Sequence, residues 1–325
     1  YSYTTTASDV DAGDTVTLTC TTVPSWLTCN AGALTGTPTN AHVGSHAVVI
    51  TATDAAGATA TDSFTIVVSN ANDAPTVTST AVTSATEDAV YTYTLTGADA
   101  DVGDTLTMSG TTVPSWLTFT ASTGVLTGTP TNDNVGTTGN AVVLTITDAA
   151  GESVTDSFTI TVANTNDAPS FSSNPVTTAQ EDDVYTYTAV GTDMDAGDTF
   201  TLGSSSVPSW LTFTASSGVL TGTPANSDVG THSVTLTVTD AAGAVGTQTF
   251  TITVSNANDA PTVTSTAITS ATEDAVYTYT LTGADADVGD TLTMAGTTVP
   301  SWLTFTASTG VLTGTPTNDD VAITA

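Results

Sequence analysis

Residues 141–147 read Ala-Val-Val-Leu-Thr-Ile-Thr, and residues 158–162 read Phe-Thr-Ile-Thr-Val. Large apolar side chains fall on every second position: Val142, Leu144 and Ile146 in the first stretch, Phe158, Ile160 and Val162 in the second. Successive side chains of a strand point to opposite faces, so this period of two predicts half-buried strands. Tyr91, Tyr93 and Leu95 alternate with Thr92 and Thr94 in the same way. Thr and Val dominate, Gly, Asn and Asp punctuate about every ten residues, and no segment carries a helical stripe. The expected fold is all-β, a series of antiparallel sandwiches of about seven strands each.

Outward from these strands the chain repeats itself. Pro-Ser-Trp-Leu-Thr recurs with Trp26, Trp116, Trp210 and Trp302, a domain-sized spacing of about 90 residues. Between successive units stand three Asn/Asp-rich connectors, Asn70 to Pro75, Asn164 to Pro169 and Asn256 to Pro261, each ending in a proline that fixes its own φ. Three connectors imply four repeats, over residues 1–73, 74–167, 168–259 and 260–325. Residues 75–135 and 261–321 differ only at Val82/Ile268, Ser109/Ala295 and Asn134/Asp320, which points to recent tandem duplication. The chain opens inside a repeat, because Tyr1-Ser2-Tyr3 aligns with Tyr91-Thr92-Tyr93, and it stops before the counterparts of Val142 to Val162. Two readings follow: a window of a longer repetitive protein, or a subunit completed by its neighbours. Donor-strand completion needs a spare strand, which repeat 1 does not offer, so the window is the simpler reading.

The 325 residues contain no Lys or Arg and 32 acids, a formal charge of −32. Nothing could neutralise phosphates, which excludes nucleic acid and an anionic membrane surface as partners. A hydrophobic content of 39%, spread evenly, suffices for several small cores, yet no run approaches the roughly 18 apolar residues of a membrane span. Both cysteines lie in the first repeat: Cys20 stands where the others have Gly110, Ser204 and Gly296, and Cys29 replaces Phe119, Phe213 and Phe305. A local disulfide across the Pro24-Ser25-Trp26 turn is the economical reading, worth about 2 to 3 kcal/mol for so short a loop; two independent buried thiols are the alternative.

One Trp per unit, followed at once by Leu and framed by turn residues, reads as the anchor of each core rather than as a carbohydrate platform. Gly-Thr-Pro recurs at Gly36, Gly128, Gly222 and Gly314. His42 and His46 lie in a β context without counterparts in the other repeats and are expected at the surface.

All acids but Asp62, Glu152 and Asp156 fall in five recurring places. A Glu-Asp pair precedes the first Tyr strand, at Glu87, Glu181 and Glu273; Asp-x-Asp-x-Gly-Asp follows, at Asp9, Asp99, Asp193 and Asp285. An acidic turn after Gly-Thr-Pro holds Asp133, Asp228 and Asp319, Thr-Asp-Ala-Ala-Gly supplies Asp54, Asp148 and Asp240, and the connectors supply Asp73, Asp167 and Asp259. Clustered carboxylates and amide carbonyls without a nearby cationic side chain are hard oxygen ligands, suited to Ca²⁺ rather than Zn²⁺. An EF-hand fails, since Gly110 occupies the place of its closing Glu after Asp99. Plain acidic turns are the alternative, Asp being a good turn former.

Leu-Thr-Phe-Thr-Ala-Ser-Thr-Gly-Val-Leu-Thr-Gly-Thr-Pro (residues 117–130), Thr-Asp-Ala-Ala-Gly and Asn-x-Asn-Asp-Ala-Pro resemble the dystroglycan-type cadherin-like and Ig-like tandem repeats of bacterial and archaeal surface proteins. The resemblance covers essentially the whole chain. It implies that each connector, with acids of the repeats before and after it, binds about three Ca²⁺ of the extracellular class. Carried over, the second junction comprises Glu87, Asp133, Asn164, Asn166, Asp167, Asp193, Asp195 and Asp240, and the third Glu181, Asp228, Asn256, Asn258, Asp259, Asp285 and Asp287. The first is poorer, with Asn70, Asn72, Asp73, Asp99, Asp101 and Asp148, because Ala41-His42 stand in its acidic turn. This chain departs from cadherins proper in lacking the basic residue of that turn.

No Lys is present for a Schiff base, no glycine-rich phosphate loop occurs, and no His has a recurring Ser or Cys partner, so an enzyme is not expected. Three functions remain: an extracellular stalk or filament on a prokaryotic surface, stiffened by Ca²⁺ and partnered by neighbouring repeats or other copies in a fibre; a module binding glycans or a surface protein; and a homophilic adhesion repeat.

Overall fold

A computed structural model describes residues 1–321. The chain divides into two compact units, Tyr1–Thr165 and Asn166–Ala325. In the first, the second repeat shows the architecture most fully. One sheet runs Thr107–Thr112, Ala141–Thr147, Ser153–Thr159, all antiparallel, and the last strand continues as Thr161–Ala163 in parallel pairing with Ser84–Thr86. The facing sheet runs Leu117–Thr120, Val125–Gly128, Tyr91–Thr94, and Gly97–Ala98 pairs with Thr76–Val77. Register places Val142 opposite Phe158 and Ile146 opposite Val154, so the alternation read from the sequence puts one side of each strand inside. Tyr91, Tyr93, Leu95, Leu117, Leu126, Val142, Leu144, Ile146, Ile160 and Val162 form the buried core. The fold is all-β.

Repeat 1 has the same two sheets: Ser2–Thr4, Ala33–Gly36 and Leu27–Asn30 in one, Thr17–Thr22, Gly44–Thr53 and Thr59–Val68 in the other. In the second unit, repeat 3 builds a four-stranded sheet from Thr178–Gln180, Val245–Ser255, Gly230–Asp240 and Phe200–Ser206, opposite Tyr185–Thr188, Val219–Gly222 and Leu211–Thr214. Repeat 4 keeps the sheet Tyr277–Thr280, Val311–Gly314, Leu303–Thr306. Its residues 293–298, which correspond to Thr107–Thr112, form no strand.

The recurring motifs acquire physical reasons here. Trp26, Trp116 and Trp210 are half-buried against their cores, and Trp302 is half-buried and meets Tyr277 edge-on. A Cβ on the Gly of Gly-Thr-Pro would run into the backbone carbonyl of that Trp, at Gly36, Gly128, Gly222 and Gly314 alike, so the motif marks a strand crossing too close for any side chain. The buried tyrosines keep their hydroxyls paired: Tyr91 donates to the Val82 carbonyl (2.7 Å) and Tyr93 to Asp156 (2.6 Å). Burial, reinforced by Tyr93 and Asp156 for Tyr91 and by Asp156 for Tyr93, pushes both phenols up to about 12, so they remain donors. Asp156 and, in repeat 1, Asp62 thereby find a use as tyrosine partners, which explains two acids outside the five recurring places.

Cys20 and Cys29 are disulfide-bonded, with Cα atoms 6.4 Å apart. At the equivalent position of repeat 2, a Cβ added to Gly110 would lie in contact with Phe119, so the covalent bridge replaces a packing contact. The histidine expectation needs correction. His46 is half-buried, meets Trp26 edge-on with ring centroids 5.8 Å apart, and has a counterpart in His232, which meets Trp210 at 5.9 Å. Each donates through Nε2 to a turn carbonyl, of His42 and Asp228, at 2.6 Å. Alignment of Gly44-Ser45-His46 with Gly230-Thr231-His232 carried that signal.

In repeat 2 the position is Asn140, 1% exposed, which accepts from Trp116 Nε1 (3.0 Å) and donates to the carbonyls of Asn134 and Gly136. Asn140→Ala is expected to cost about 1 to 3 kcal/mol, leaving the indole N–H and two carbonyls without a partner. Asn140→His, which copies the ring packing and turn-carbonyl bond of repeats 1 and 3 while leaving the indole N–H unpaired as it is there, is expected to cost less. Denaturant unfolding of the two variants checks the order, and equal losses would contradict this role.

Candidate metal centre

The loop Asp99-Ala-Asp-Val-Gly-Asp104 is folded by its own carboxylates. Asp99 Oδ1 accepts from the Asp101 N–H (2.9 Å), Asp104 Oδ1 accepts from the Thr105 N–H (2.8 Å), and Gly103 takes the left-handed conformation (φ 91°) that closes the turn. Thr147-Asp148-Ala-Ala-Gly151 is a second turn, in which Asp148 Oδ1 accepts from the N–H groups of Gly151 (2.6 Å) and Glu152 (2.8 Å). Adjacent sheet ends bring the two turns together, and oxygens of Asp99, Asp104 and Asp148 lie within 4.8 Å of one another. The same triad forms from Asp9, Asp14 and Asp54 in repeat 1 and from Asp193, Asp198 and Asp240 in repeat 3.

Two observations bear on what these clusters could hold. Asp99 Oδ2, Asp101 Oδ1, Asp193 Oδ2 and Asp195 Oδ1 are buried and unpartnered, and Asp101 and Asp195 as whole residues are only 6% and 7% exposed. A buried oxygen of this kind is costly unless a donor or a metal satisfies it. Protonation is also disfavoured at one acid in each of two triads, Asp148 and Asp240. The Asn72 amide, assisted by the N–H groups of Gly151, Glu152 and Ala150, holds the Asp148 carboxyl below its usual range; Asn166, with Ala244, Gly243 and Ala242, does the same for Asp240. These acids stay charged, and no Lys or Arg exists in the chain to compensate them. The donor set is all oxygen, without His or Cys, which fits Ca²⁺.

The connectors lock onto these acids. At the first junction, Asn72 Nδ2 donates to Asp148 (2.9 Å), the Asp73 N–H to Asp101 Oδ2 (2.8 Å), and Asn40 Nδ2 to Asp73 (2.6 Å), while Asn70 lies exposed. At the third, the Asp259 N–H donates to Asp287 Oδ2 (2.7 Å), Asn256 to Asp287 Oδ1 (2.8 Å), the Ala257 N–H to Glu181 (3.3 Å), and Asn226 to Asp259 (2.6 Å). Glu181, Asp182 and Asp259 also present oxygens within 4.8 Å of one another. Asp285 accepts from the Asp287 N–H, and Asn258 donates to the Asp259 carbonyl. Of the residues assigned to the second junction, the first unit holds Glu87, 2% exposed, accepting from the Thr165 N–H (3.1 Å), with Asn164 exposed beside it. The second unit holds Asn166 donating to Asp240 (2.8 Å) and the Asp167 N–H donating to Asp195 (2.8 Å), with Asp193 accepting from the Asp195 N–H.

The two acids assigned from the turn after Gly-Thr-Pro are not equivalent. Asp133 is exposed, whereas Asp228 caps its own turn by accepting from the Ala225 N–H (3.0 Å). Spacing alone had merged two positions. Asn40 and Asn226 are among the side chains that reach a connector from such turns, and the third members of the triads, Asp14, Asp104 and Asp198, lie outside the residues carried over from the resemblance. Recurrence at a fixed offset in every repeat was the available signal for both.

This geometry defines a tandem array of β-sandwiches with acid-rich connectors. A family model for the "Putative Ig domain" matches residues 1–69, 74–163, 168–255 and 260–324, and the chain belongs to that family. It is 32% identical over 162 residues to the serine-rich adhesin for platelets of Staphylococcus aureus, a match covering 49% of this chain and 7% of that adhesin. The chain therefore spans a small fraction of the curated relative. Among solved structures, PcdhgB3 domains EC1–4 superpose with a TM-score of 0.51 at 14% identity, over 79% of this chain and 71% of that one. The extracellular cadherin domains 1–5 of protocadherin Gamma B2 give 0.50 at 17% identity, over 98% and 70%. Identities this low carry the fold alone, and the fold is cadherin-like.

Replacing Asp193 and Asp198 together by Asn in the full chain is expected to weaken Ca²⁺ binding at that triad by at least about tenfold, with the far-ultraviolet circular dichroism unchanged. Titration calorimetry reads the change; an isotherm identical to that of the unmodified chain would show that the triad binds no ion.

Proposed function

We propose that this chain is a length of extracellular, surface-displayed stalk or filament in which Ca²⁺ at the acidic clusters stiffens the joints between repeats. The single observation that carries the reading is the set of buried, unpartnered carboxylate oxygens beside connectors, in a chain that contains no cationic side chain. Family membership and the adhesin relative support the coarser statement, a non-enzymatic structural or adhesion protein. The disulfide supports an oxidising, extracellular setting.

Without ions, like charges within each cluster repel while the cores, held by Tyr, Leu, Val and Ile faces, keep their packing. Sites of the extracellular class bind with Kd of about 10⁻⁴ to 10⁻³ M, so they fill outside cells and stay empty at cytosolic Ca²⁺. The adhesin relative favours a second reading, in which the repeats themselves recognise a glycan, a surface protein or another copy of the chain. Half-burial of all four Trp side chains leaves little aromatic area for stacking on sugars, which supports the stalk.

Small-angle scattering of the full chain tests the proposal. Chelator is expected to increase flexibility and broaden the distance distribution while the circular dichroism stays that of folded sandwiches. An identical scattering profile with and without millimolar Ca²⁺ would reduce the acids to solvated turns.

A further inference from the structure

The turn that follows each Gly-Thr-Pro motif is a short 3₁₀ segment, Asn40–His42, Asn132–Asn134, Asn226–Asp228 and Asn318–Asp320. Its third residue varies and serves as a cap: His42 Nδ1, Asn134 Oδ1, Asp228 Oδ2 and Asp320 Oδ2 each accept the backbone N–H three residues earlier. Its second residue is Ala41, Asp133, Ser227 or Asp319. The first is Asn in all four, although acids are abundant elsewhere in the turn. Freed from capping, this Asn points away from its own turn. At the first and third junctions, in different units of the chain, it makes the same bond: Asn40 Nδ2 to Asp73 Oδ2 and Asn226 Nδ2 to Asp259 Oδ2, both 2.6 Å.

A carboxylate is an acceptor only, so the amide must present its NH₂ to it. In a chain without Lys or Arg, the donors that can meet a carboxylate are side-chain amides, hydroxyls, indole and backbone N–H groups, the N-terminal amine and three His. The histidines found in repeats 1 and 3 are committed elsewhere, to Trp26, Trp210 and turn carbonyls. From these facts we infer that Asn40 and Asn226 are positioning residues, amide latches that tie the preceding repeat to the connector Asp without any ion. The connector Asp is in turn tied to the following repeat, through Asp73 N–H to Asp101 and Asp259 N–H to Asp287. A chain of two hydrogen bonds therefore crosses each of these joints. The latch keeps the acids of the ion-free joint near their binding positions, which lowers the ordering cost when a cation arrives.

The inference deepens the reading of the joints as Ca²⁺ sites, but its core claim concerns the ion-free state. An acid in place of the amide is nearly isosteric and reverses the interaction: two carboxylates would face each other at hydrogen-bonding distance. That reversal separates a latch from a side chain that merely fills space. In the full chain, Asn40→Asp/Asn226→Asp is expected to loosen the ion-free molecule further than Asn40→Ala/Asn226→Ala does, and rising salt should diminish the difference. Small-angle scattering in chelator at low and high ionic strength reads both effects. In Ca²⁺ the Asp pair is expected to be as compact as the unmodified chain and to bind roughly tenfold more tightly, because charge count tunes such sites, whereas the Ala pair binds more weakly. Circular dichroism confirms that every variant is folded. Ion-free scattering identical for the unmodified, Ala and Asp chains would overturn the latch, whatever the Ca²⁺ result. If the Asp pair loosens the ion-free chain but no form binds Ca²⁺, the latch stands and the stalk's dependence on Ca²⁺ fails.

Discussion

Repulsion among carboxylates that no internal cation answers is the constraint on which the rest of this molecule depends. Folding gathers Asp99, Asp104 and Asp148, and their counterparts in repeats 1 and 3, within 4.8 Å of one another and leaves buried oxygens such as Asp101 Oδ1 unpaired. A chain that carries such groupings once tolerates them as a local cost; one that builds them in three successive repeats has made them part of its design. Backbone N–H groups and Asn amides absorb part of that charge. The remainder is what the proposed hard cation would answer.

Separation of labour makes the arrangement workable. Each sandwich is held by an apolar interior, by a Trp carbonyl pressed so close to the Gly of Gly-Thr-Pro that no side chain fits between, and by tyrosine hydroxyls paired inside the core. None of these contacts uses an acid of the triads. Charge is placed at the turns and connectors, apart from the apolar interiors, so on the proposed reading it acts on the joints rather than on the packing of a repeat. Repeat 1 goes further by exchanging a Phe contact for the Cys20–Cys29 bridge.

Much of this was legible in the residues. A period of two in stretches such as Val142 to Thr147 specified strands, because one face had to be apolar, and the connectors fall at the breaks between the four stretches that the family model matches. The five recurring places of the acids located the clusters. Reading stopped where it had to choose between adjacent polar residues. Asp133 and Asp228 carry the charge that ligand arguments favour, yet one is exposed and the other caps its own turn, while the neutral Asn226 reaches the connector. Charge identifies a region; which side chain of a tight turn points inward depends on its capping bonds, which composition does not display. His46 was misplaced for a related reason: it substitutes for the buried Asn140 against a Trp, a role visible only once repeats were aligned residue by residue.

The most direct test of the account is thermodynamic linkage. An ion that binds the folded clusters and not the unfolded chain must stabilise the fold by RT ln(1 + [Ca²⁺]/Kd), about 2.7 kcal/mol for each site at a hundredfold excess over Kd. Denaturant unfolding of the full chain, followed by tryptophan fluorescence at increasing free Ca²⁺ and constant ionic strength, measures it. The account predicts a midpoint that climbs with Ca²⁺ through the submillimolar to millimolar range and responds less to Mg²⁺, which dehydrates reluctantly and demands near-ideal octahedral geometry. A midpoint indifferent to Ca²⁺ would contradict the claim that the carboxylates are built around a cation.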